Sequence, residues 1–310
     1  IRVLSRMEPG LLVRACLMLG LIVAGGKVSA QSLEPRAYAN TPVGMNFALI
    51  GYAHTEGSIT TEASSPIQNA QVTTDNALLG YSRSFGLLGT SGKIALVEGE
   101  AWVSGQAQFM GQPRSRYVTG LTDPLVRGSI NLYGAPALTM NEFTNYQQNL
   151  IIGMSLSMTA PLGQYDSSKL LNIGQNRWSF RPELGLSQAY KKFTFELMPA
   201  VTFFTDNNDF LGQTKEQDPL YSLQGHVIYS FPKNIWASVS ATYYTGGSTT
   251  LDGKHQNDLE KDYRVGATLS LPLGRHESIK LYGSDGVVDR AGQNFWLIGI
   301  ALQYRWGGGL

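Results

Sequence analysis

Large apolar side chains alternate with small or polar ones in many segments of the chain. In residues 296–306, every even-numbered residue is aromatic or aliphatic, whereas Gly299, Gln303 and Arg305 are among the odd-numbered residues. A period of two is typical of a β-strand whose faces meet different environments. The same alternation occurs at residues 150–159, 193–203, 237–244 and 263–271.

The composition of the two faces indicates which environments they meet. The polar face of a soluble β-sandwich is rich in Lys and Glu, but here it carries mainly Gly, Ser and Thr with isolated charges. The opposite face is aliphatic, with aromatic residues near its ends. These features predict an all-β fold, a transmembrane β-barrel of the outer membrane with lipid outside and a polar lumen inside.

We predict a 12-stranded antiparallel barrel over residues 45–306. An even strand number places both ends of the barrel on the periplasmic side. The predicted strands are 45–55, 76–85, 93–108, 121–133, 149–160, 178–189, 193–205, 221–231, 235–245, 263–271, 278–284 and 294–306.

The connections alternate in length, as expected for long outer loops and short periplasmic turns. The predicted outer loops are 56–75, 109–120, 161–177, 206–220, 246–262 and 285–293. The predicted turns are 86–92, 134–148, 190–192, 232–234 and 272–277. The turn 134–148 is unusually long, and it predicts a small periplasmic helix with Pro136 near its start.

Residues 1–30 have the pattern of a secretory signal peptide. Three arginines precede an apolar run at residues 15–26, and Val28-Ser29-Ala30 gives a small-x-small cleavage site. Translation is expected to start at Met7. A membrane anchor is disfavoured because the run is too short, and a lipoprotein site at Cys16 is disfavoured because Arg14 lies two residues before it. The sequence therefore predicts export to the bacterial outer membrane.

Removal of this segment changes the charge balance. Residues 1–30 carry four basic residues and one acidic residue, so cleavage lowers the formal net charge from +1 to −2 and removes the single cysteine. A disulfide framework and a multi-thiol metal site are thereby excluded. The lack of a basic surplus argues against a nucleic-acid partner.

Alternation places charges of both signs on the enclosed face. Enclosed charges are costly unless they are paired, so we expect salt-bridged networks. Two interpretations stay open and can coexist: a polar track for a solute, or a plug of side chains that makes a narrow barrel rigid. The predicted lumen charges are Glu98, Glu100, Glu183, Glu196, Arg127, Arg181, Arg264 and Arg305.

Four aromatic residues fall on the same predicted inward face. Their rings are able to stack on a phenolic solute, or alternatively to pack at the rim of the barrel. They are Trp102, Phe204, Trp236 and Tyr244.

Residues 31–44 contain Pro35 and Pro42 and lack a strand pattern. We expect this segment to fold back against or into the lumen as a partial plug, with Glu34 and Arg36 pairing with opposite charges at the periplasmic mouth, such as that of Arg305. A loose linker is the alternative. Residues 307–310 form a short tail after the last strand.

The sequence offers little support for catalysis. His226 falls on the inward face, whereas a lipid hydrolase needs its Ser and His on the lipid-facing rim. Residues 206–209, Asp-Asn-Asn-Asp, lack the spacing of a calcium loop, and no phosphate-binding motif occurs. We therefore expect no enzyme activity, no metal and no cofactor.

Several stretches resemble one family of bacterial outer-membrane proteins, described as "putative MetA-pathway of phenol degradation". The resemblance covers most of residues 33–309 and implies passage of aromatic compounds. It is carried by LEPRAYAN at 33–40, LYGAPAL at 132–138, APLGQY at 160–165, NRWSF at 176–180, VTFFTDN at 201–207 and YYTGG at 243–247.

These observations lead us to expect a channel for passive uptake of small aromatic or hydrophobic solutes. The alternative is a non-conducting barrel whose outer loops have a structural or interaction role. The expected partners are outer-membrane lipid and lipopolysaccharide, the small solute, and the outer-membrane assembly machinery. That machinery reads alternating apolar-aromatic C-terminal strands such as residues 300–306.

Overall fold

A computed structural model describes residues 34–60, 67–288 and 292–310. The predicted signal peptide and parts of two outer connections, at 61–66 and 289–291, lie outside the described residues. The strands are β1 (Met45–Thr60), β2 (Ile67–Leu87), β3 (Thr90–Phe109), β4 (Gln112–Leu121), β5 (Leu125–Tyr133), β6 (Leu150–Thr159), β7 (Ser179–Tyr190), β8 (Phe193–Phe204), β9 (Asn207–Phe210), β10 (Gln213–Gln217), β11 (Leu220–Ser230), β12 (Trp236–Gly246), β13 (Thr249–Leu251), β14 (Lys254–His255), β15 (Glu260–Pro272), β16 (Glu277–Val288) and β17 (Gly292–Gly307).

The large sheet closes on itself in an antiparallel barrel. β1 pairs with both β2 and β17, and each later barrel strand pairs with its neighbours along the chain. β4 and β5 pair with successive parts of β3, so they form one barrel strand with a break at residues 122–124. In the described part of the chain the barrel therefore has twelve strands, which confirms the predicted fold.

Side-chain exposure separates the outside of the barrel from its lumen. On β17, Ile298 is 57% exposed and Ile300 is 42% exposed, whereas Ala301 is 4% exposed. Trp296 and Trp306 flank this outward aliphatic stretch. The outer surface is therefore a band of apolar residues bounded by aromatic rings, as a bilayer requires.

The long periplasmic turn contains the short helix α1 (Met140–Phe143). It begins four residues after Pro136, at an N-terminal capping box in which Thr139 and Glu142 each bond the other's backbone N–H. Across residues 34–60, 67–288 and 292–310, no helix is long and apolar enough to cross a bilayer.

The outer ends of the barrel differ from the predicted loops. The stretch 109–120, predicted as a loop, is mostly strand β4, which pairs with β3 along its whole length. β1 and β2 likewise extend to Thr60 and from Ile67. These extensions lack an apolar outward face because they project beyond the bilayer. β9, β10, β13 and β14 form a separate four-stranded sheet within the predicted outer loops.

The two faces of β17 should respond differently to a new charge. Ile300→Lys places an ammonium near the bilayer midplane, where it costs about 2–4 kcal/mol. We expect a lower yield of folded barrel, measured by heat-modifiable gel mobility, and a lower denaturant midpoint in lipid vesicles.

Gln303→Lys is the matched control because its side chain is on the lumen phase of the same strand. It should fold with nearly the yield of the unsubstituted protein. Equal losses for the two variants would contradict the assignment of the faces.

Candidate functional site

The N-terminal residues 34–44, here named the lumen segment, fold back inside the barrel. At the periplasmic end, Val43 donates its N–H to the carbonyl of Leu138 (2.9 Å) and Gly44 donates to the carbonyl of Ser84 (3.0 Å). Further in, the side chains of Glu34 and Tyr38 contact inward-facing residues of β5, β6 and β7, and the backbone N–H of Arg36 donates to Glu196 of β8. The segment therefore occupies part of the lumen near the periplasmic mouth.

Tyr38 fixes the lumen segment to the barrel wall. Its ring lies over Gly153 and Gly185, which oppose each other on β6 and β7. A Cβ at Gly185 would come within 2.1 Å of the Tyr38 ring, and one at Gly153 within 2.4 Å. Only glycine at both positions leaves room for this ring, and the Tyr38 side chain is 1% exposed.

The Tyr38 hydroxyl is held by polar groups of the wall. It donates to the Glu183 carboxylate (3.0 Å) and lies 3.1 Å from the Ser155 Oγ. Burial, reinforced by the charge of Glu183, raises the pKa of Tyr38 to about 12. The phenol thus stays protonated and able to donate at physiological pH.

Four charged residues form a chain of ion pairs around Tyr38. Arg127 bridges Glu34 of the lumen segment and Glu183 of β7, with 2.7 Å between Arg127 Nη2 and Glu183 Oε1. Arg181 contacts the other oxygen of Glu183 at 2.9 Å. The structure therefore brings together three of the predicted lumen charges and joins them to Glu34.

A second set of contacts surrounds Glu196. Its carboxylate accepts the backbone N–H of Arg36 (2.8 Å) and the hydroxyl of Ser187 (3.0 Å). The Arg36 guanidinium lies 5.6 Å from the centroid of the Trp236 ring. Trp236 is thus on the lumen side, but a cation of the lumen segment faces its ring.

Two lumen lysines were missed in the sequence analysis. Lys93 donates to the carbonyl of Ala37 (3.1 Å), and the Lys280 ammonium lies 6.0 Å from the Trp236 ring centroid. The outward phase of Ile94 would have indicated that Lys93 faces inward. Lys280 opposes the inward Ala301 on β17. Its inward position follows from the register of the two strands, which the sequence alone does not give.

The predictions for Glu98, Glu100 and Trp102 are wrong about the face on which they lie. Glu98 is opposite Leu79, which is 62% exposed. Directly opposed residues share a face, so Glu98 lies on the outward face. Glu100 and Trp102 follow at every second position and lie on the same face. These residues lie near the middle of β3. The Glu98 carboxylate accepts the Gly99 N–H (3.0 Å) and the hydroxyl of Thr122 (3.3 Å), in the break between β4 and β5.

The remaining predicted aromatics and Arg264 lie in the outer half of the lumen. Tyr244 and Arg264 are almost fully buried, and the Arg264 guanidinium lies 3.6 Å from the centroid of the Phe295 ring. Phe204 packs against Arg177, whose guanidinium lies 4.4 Å from the ring centroid. Arg181, a member of the chain of ion pairs around Tyr38, also interacts electrostatically with Tyr244, so the two groups of residues are linked.

Arg177 belongs to the connection between β6 and β7, just before the second of these strands. It donates hydrogen bonds to Gln175 and Gln217 and so ties two outer connections together. Desolvation by burial lowers its pKa to about 10, against an opposing effect of Asp206. The group remains charged at neutral pH.

Arg305 does not pair with the lumen segment. Its Nε donates to the carbonyl of Arg275 (3.0 Å) in the turn before β16, so it fastens a periplasmic turn. The expected pairing with Arg305 was therefore wrong, whereas Glu34 does pair with an opposite charge, that of Arg127.

The charge balance of the lumen also differs from the expected one. With Glu98 and Glu100 on the outward face, the predicted acids that remain inside are Glu183 and Glu196. Lys93 and Lys280 add to the predicted arginines, so bases outnumber acids among the described side chains of the inner half of the lumen.

No catalytic arrangement accompanies these groups in the described residues. His226 is buried on the lumen side, and its Nδ1 lies 2.6 Å from the Ser240 Oγ. His54 lies on the outward face and contacts Asp75 at 2.7 Å. Within the same ranges, no cluster of His, Cys, Asp or Glu has the arrangement of a metal site.

Comparison with known proteins identifies the family. The model of the family described as "Putative MetA-pathway of phenol degradation" matches residues 58–306. The chain belongs to this family. The phenol-degradation family thus covers the barrel almost completely, as the sequence resemblance implied. No curated protein sequence matches the chain.

Solved structures share the fold of this family member. The COG4313 outer membrane channel from Pseudomonas putida F1 has a TM-score of 0.72 and 17% sequence identity, covering 89% of this chain and 100% of that chain. The transport unit of the autotransporter AIDA-I from Escherichia coli has a TM-score of 0.53 and 8% identity, covering 96% and 99%. The chain therefore has the fold of outer-membrane barrels.

The packing of the Tyr38 ring on Gly153 and Gly185 gives a testable prediction. Gly185→Ala inserts a methyl group into the Tyr38 ring and should displace the lumen segment. Trypsin should then cleave after Arg36 faster in the purified, folded barrel, which mass spectrometry of the N-terminus can follow.

Gly51→Ala is the matched control because the nearest atoms to an added Cβ lie at an ordinary 3.6 Å. In a Tyr38→Ala background, Gly185→Ala should have no further effect on cleavage. An unchanged cleavage rate in the single Gly185→Ala variant would show that the Tyr38 ring does not depend on this glycine pair.

Proposed function

We propose that this protein is a passive outer-membrane channel for small aromatic or hydrophobic solutes. The observation that carries the proposal is the lumen near Tyr38, where an aromatic and aliphatic surface adjoins a ring of charged and hydroxyl groups. Such a mixture is typical of sites that bind an apolar ring and orient its polar substituent. The family description, which names phenol degradation, supports an aromatic solute.

The apolar part of this surface is a cluster of four buried residues, Tyr38, Ala135, Ile151 and Met198. The polar part is the chain of ion pairs through Arg127 and Glu183. These four residues are 0–1% exposed, so an aromatic solute with one hydroxyl or carboxylate reaches both parts by taking the place of the Tyr38 phenol. The excess of bases in the inner half of the lumen favours a neutral or anionic solute over a cation.

The lumen segment gives the channel its expected selectivity for size. It is fastened at several points along its length, by Glu34, Tyr38 and Val43 among others. A segment held in this way narrows the path through the lumen and stays in place, so transport does not need energy to remove it. The name of the COG4313 structure, an outer membrane channel, supports conduction through a barrel of this kind.

Solute uptake into liposomes tests the proposal directly. Proteoliposomes should take up 4-hydroxybenzoate faster than protein-free liposomes, measured by rapid filtration. Glu183→Gln should change this rate because it breaks the ion pairs with Arg127 and Arg181. Glu100→Gln, the same substitution on the outward face, is the control and should leave the rate unchanged.

Absence of uptake above the protein-free background, with correctly folded barrel, would contradict the channel. The non-conducting structural barrel would then be the better explanation. Equal changes in Glu183→Gln and Glu100→Gln would argue that the rate does not depend on the lumen network.

Removal of the lumen segment tests its role as a partial plug. Deletion of residues 34–40 should increase single-channel conductance in planar bilayers, because it removes Tyr38 and both anchored side chains, Glu34 and Arg36. The turn at 43–44 and β1 are retained so that closure of the barrel is preserved. Unchanged conductance of a folded variant would reject the plug.

A further inference from the structure

Three lysines lie close together on the periplasmic rim of the barrel. Lys191 and Lys192 form the turn between β7 and β8, and Lys233 lies in the connection between β11 and β12. β8 pairs with β11, so the two connections are neighbours around the wall. The N–H of Ser230, at the end of β11, donates to the carbonyl of Lys192 (2.8 Å) and holds the first turn against the second hairpin. We call these three exposed residues the rim lysines.

The rim lysines have no acidic partner among the residues that the structure describes. No ion pair there includes any of them, and the Lys191 ammonium lies 5.3 Å from the centroid of the Tyr190 ring. The first acid along β8, Glu196, faces the lumen, where it accepts hydrogen bonds from Arg36 and Ser187. The charge of the rim lysines therefore faces the surroundings of the barrel.

The other periplasmic connections do not have this excess of basic charge. The next hairpin, β15–β16, carries Arg275 together with Glu277, and these two charges offset each other. The connections at 88–89 and 134–149 contain one charged residue, Glu142, whose carboxylate is used in the cap of α1. A local excess of one sign attracts ligands of the opposite sign. Among these connections, the excess lies at the rim lysines.

Aromatic rings line the lipid-facing wall next to the rim lysines. Phe193 follows Lys192 directly and opposes Tyr229 of β11, with 5.0 Å between the ring centroids. Tyr229 lies 4.6 Å from Phe231 in a second edge-to-face contact. Phe193 is 41% exposed and Phe231 is 44% exposed. Aromatic rings of membrane proteins concentrate at the level of the lipid headgroups, so the rim lysines lie at the level of the phosphates of the periplasmic leaflet.

We propose that the rim lysines and the rings of Phe193, Tyr229 and Phe231 form a binding site for an anionic phospholipid of the periplasmic leaflet, such as phosphatidylglycerol. The ammonium groups bind the lipid phosphate, and the upper part of an acyl chain lies against the rings. Clusters of basic side chains at a membrane surface recognise anionic lipids in this way. The site lies on the outside of the barrel, so it does not depend on conduction through the lumen.

The geometry of the two connections suits a single headgroup. Adjacent strands are about 4.8 Å apart, so the centres of two neighbouring hairpins are separated by about 10 Å. Long lysine side chains reach across such a gap while their stems cover apolar surface. The phosphate is thereby approached from two sides. Phosphatidylethanolamine fits less well, because its own ammonium would face three lysines.

Native mass spectrometry of the purified barrel in a neutral detergent tests the site. The unsubstituted protein should retain phosphatidylglycerol at lower lipid concentrations than phosphatidylethanolamine with the same acyl chains. Free sn-glycerol 3-phosphate carries the same phosphate without acyl chains. At equal concentration it should not displace the bound lipid, because it lacks the contact with the rings.

Loss of the three charges should weaken this binding strongly. A lysine near an anionic lipid surface strengthens binding about fivefold, so Lys191→Gln/Lys192→Gln/Lys233→Gln should raise the dissociation constant for phosphatidylglycerol on the order of a hundredfold. Binding of phosphatidylethanolamine should change little. The corresponding triple Lys→Arg variant keeps the charges and should bind phosphatidylglycerol as the unsubstituted protein does.

The matched control removes the same charge from the other end of the barrel. Arg114→Gln/Lys169→Gln/Lys254→Gln alters three exposed bases at the outer end, and it should leave the dissociation constant unchanged. Equal losses in the two triple variants would overturn the site, since binding would then follow net charge alone. Equal retention of both phospholipids by the unsubstituted protein would also overturn it. Displacement by sn-glycerol 3-phosphate would indicate a site for free phosphate instead.

A measurement on the unsubstituted protein avoids dependence on the folding of a variant. The probe is phosphatidylglycerol with a photoactivatable diazirine in the upper part of one acyl chain. After illumination in lipid vesicles and digestion, mass spectrometry should find the crosslinks enriched on the peptides that contain Phe193 and Phe231. Crosslinks spread evenly over the outward face of the barrel would overturn the proposal.

Discussion

The pairing of backbone polar groups is the constraint on which this structure depends. In hydrocarbon, a strand must bond to a neighbour on each side, and only a closed barrel provides this for every strand. Closure through β1 and β17 then assigns alternate side chains to lipid or lumen. The long polar hairpins at the outer end, such as β3 with β4, keep the backbone pairing but do not have an apolar outward face.

Closure of the barrel also encloses charged side chains in the lumen. The lumen segment offsets part of their desolvation cost by supplying an ion-pair partner. Arg127 would be expensive in the barrel interior with a single partner, but Glu183 and Glu34 flank it on two sides. Replacing part of the lumen water with residues 34–44 lowers the local dielectric, which strengthens these pairs and penalises any unpaired charge. The segment and the ion pairs therefore stabilise each other.

The same constraint explains what was predictable from the sequence. On β17, the large aromatic and aliphatic residues lie on one phase, apart from Leu297, so the faces of Ile300 and Ala301 were unambiguous. On β3, inward Ala101 and Val103 are apolar while outward Glu98 and Glu100 are charged, which reverses the usual pattern of the two faces. The partner of Glu34 was not predictable, because Arg127 meets it only through the three-dimensional path of a segment without periodicity.

Pro182 on β7 and Pro199 on β8 each lack the N–H that a strand residue donates to its neighbour. Tyr38 packs on the lumen side of the same wall. Tyr38, Gly153 and Gly185 form one unit on this wall, because the glycines leave room for the ring and the ring packs in one cluster with Met198. Tyr38 thereby links the lumen segment to the wall of the barrel. A movement of the segment should change the packing of the wall at Gly153, Gly185 and Met198, and the reverse should also hold.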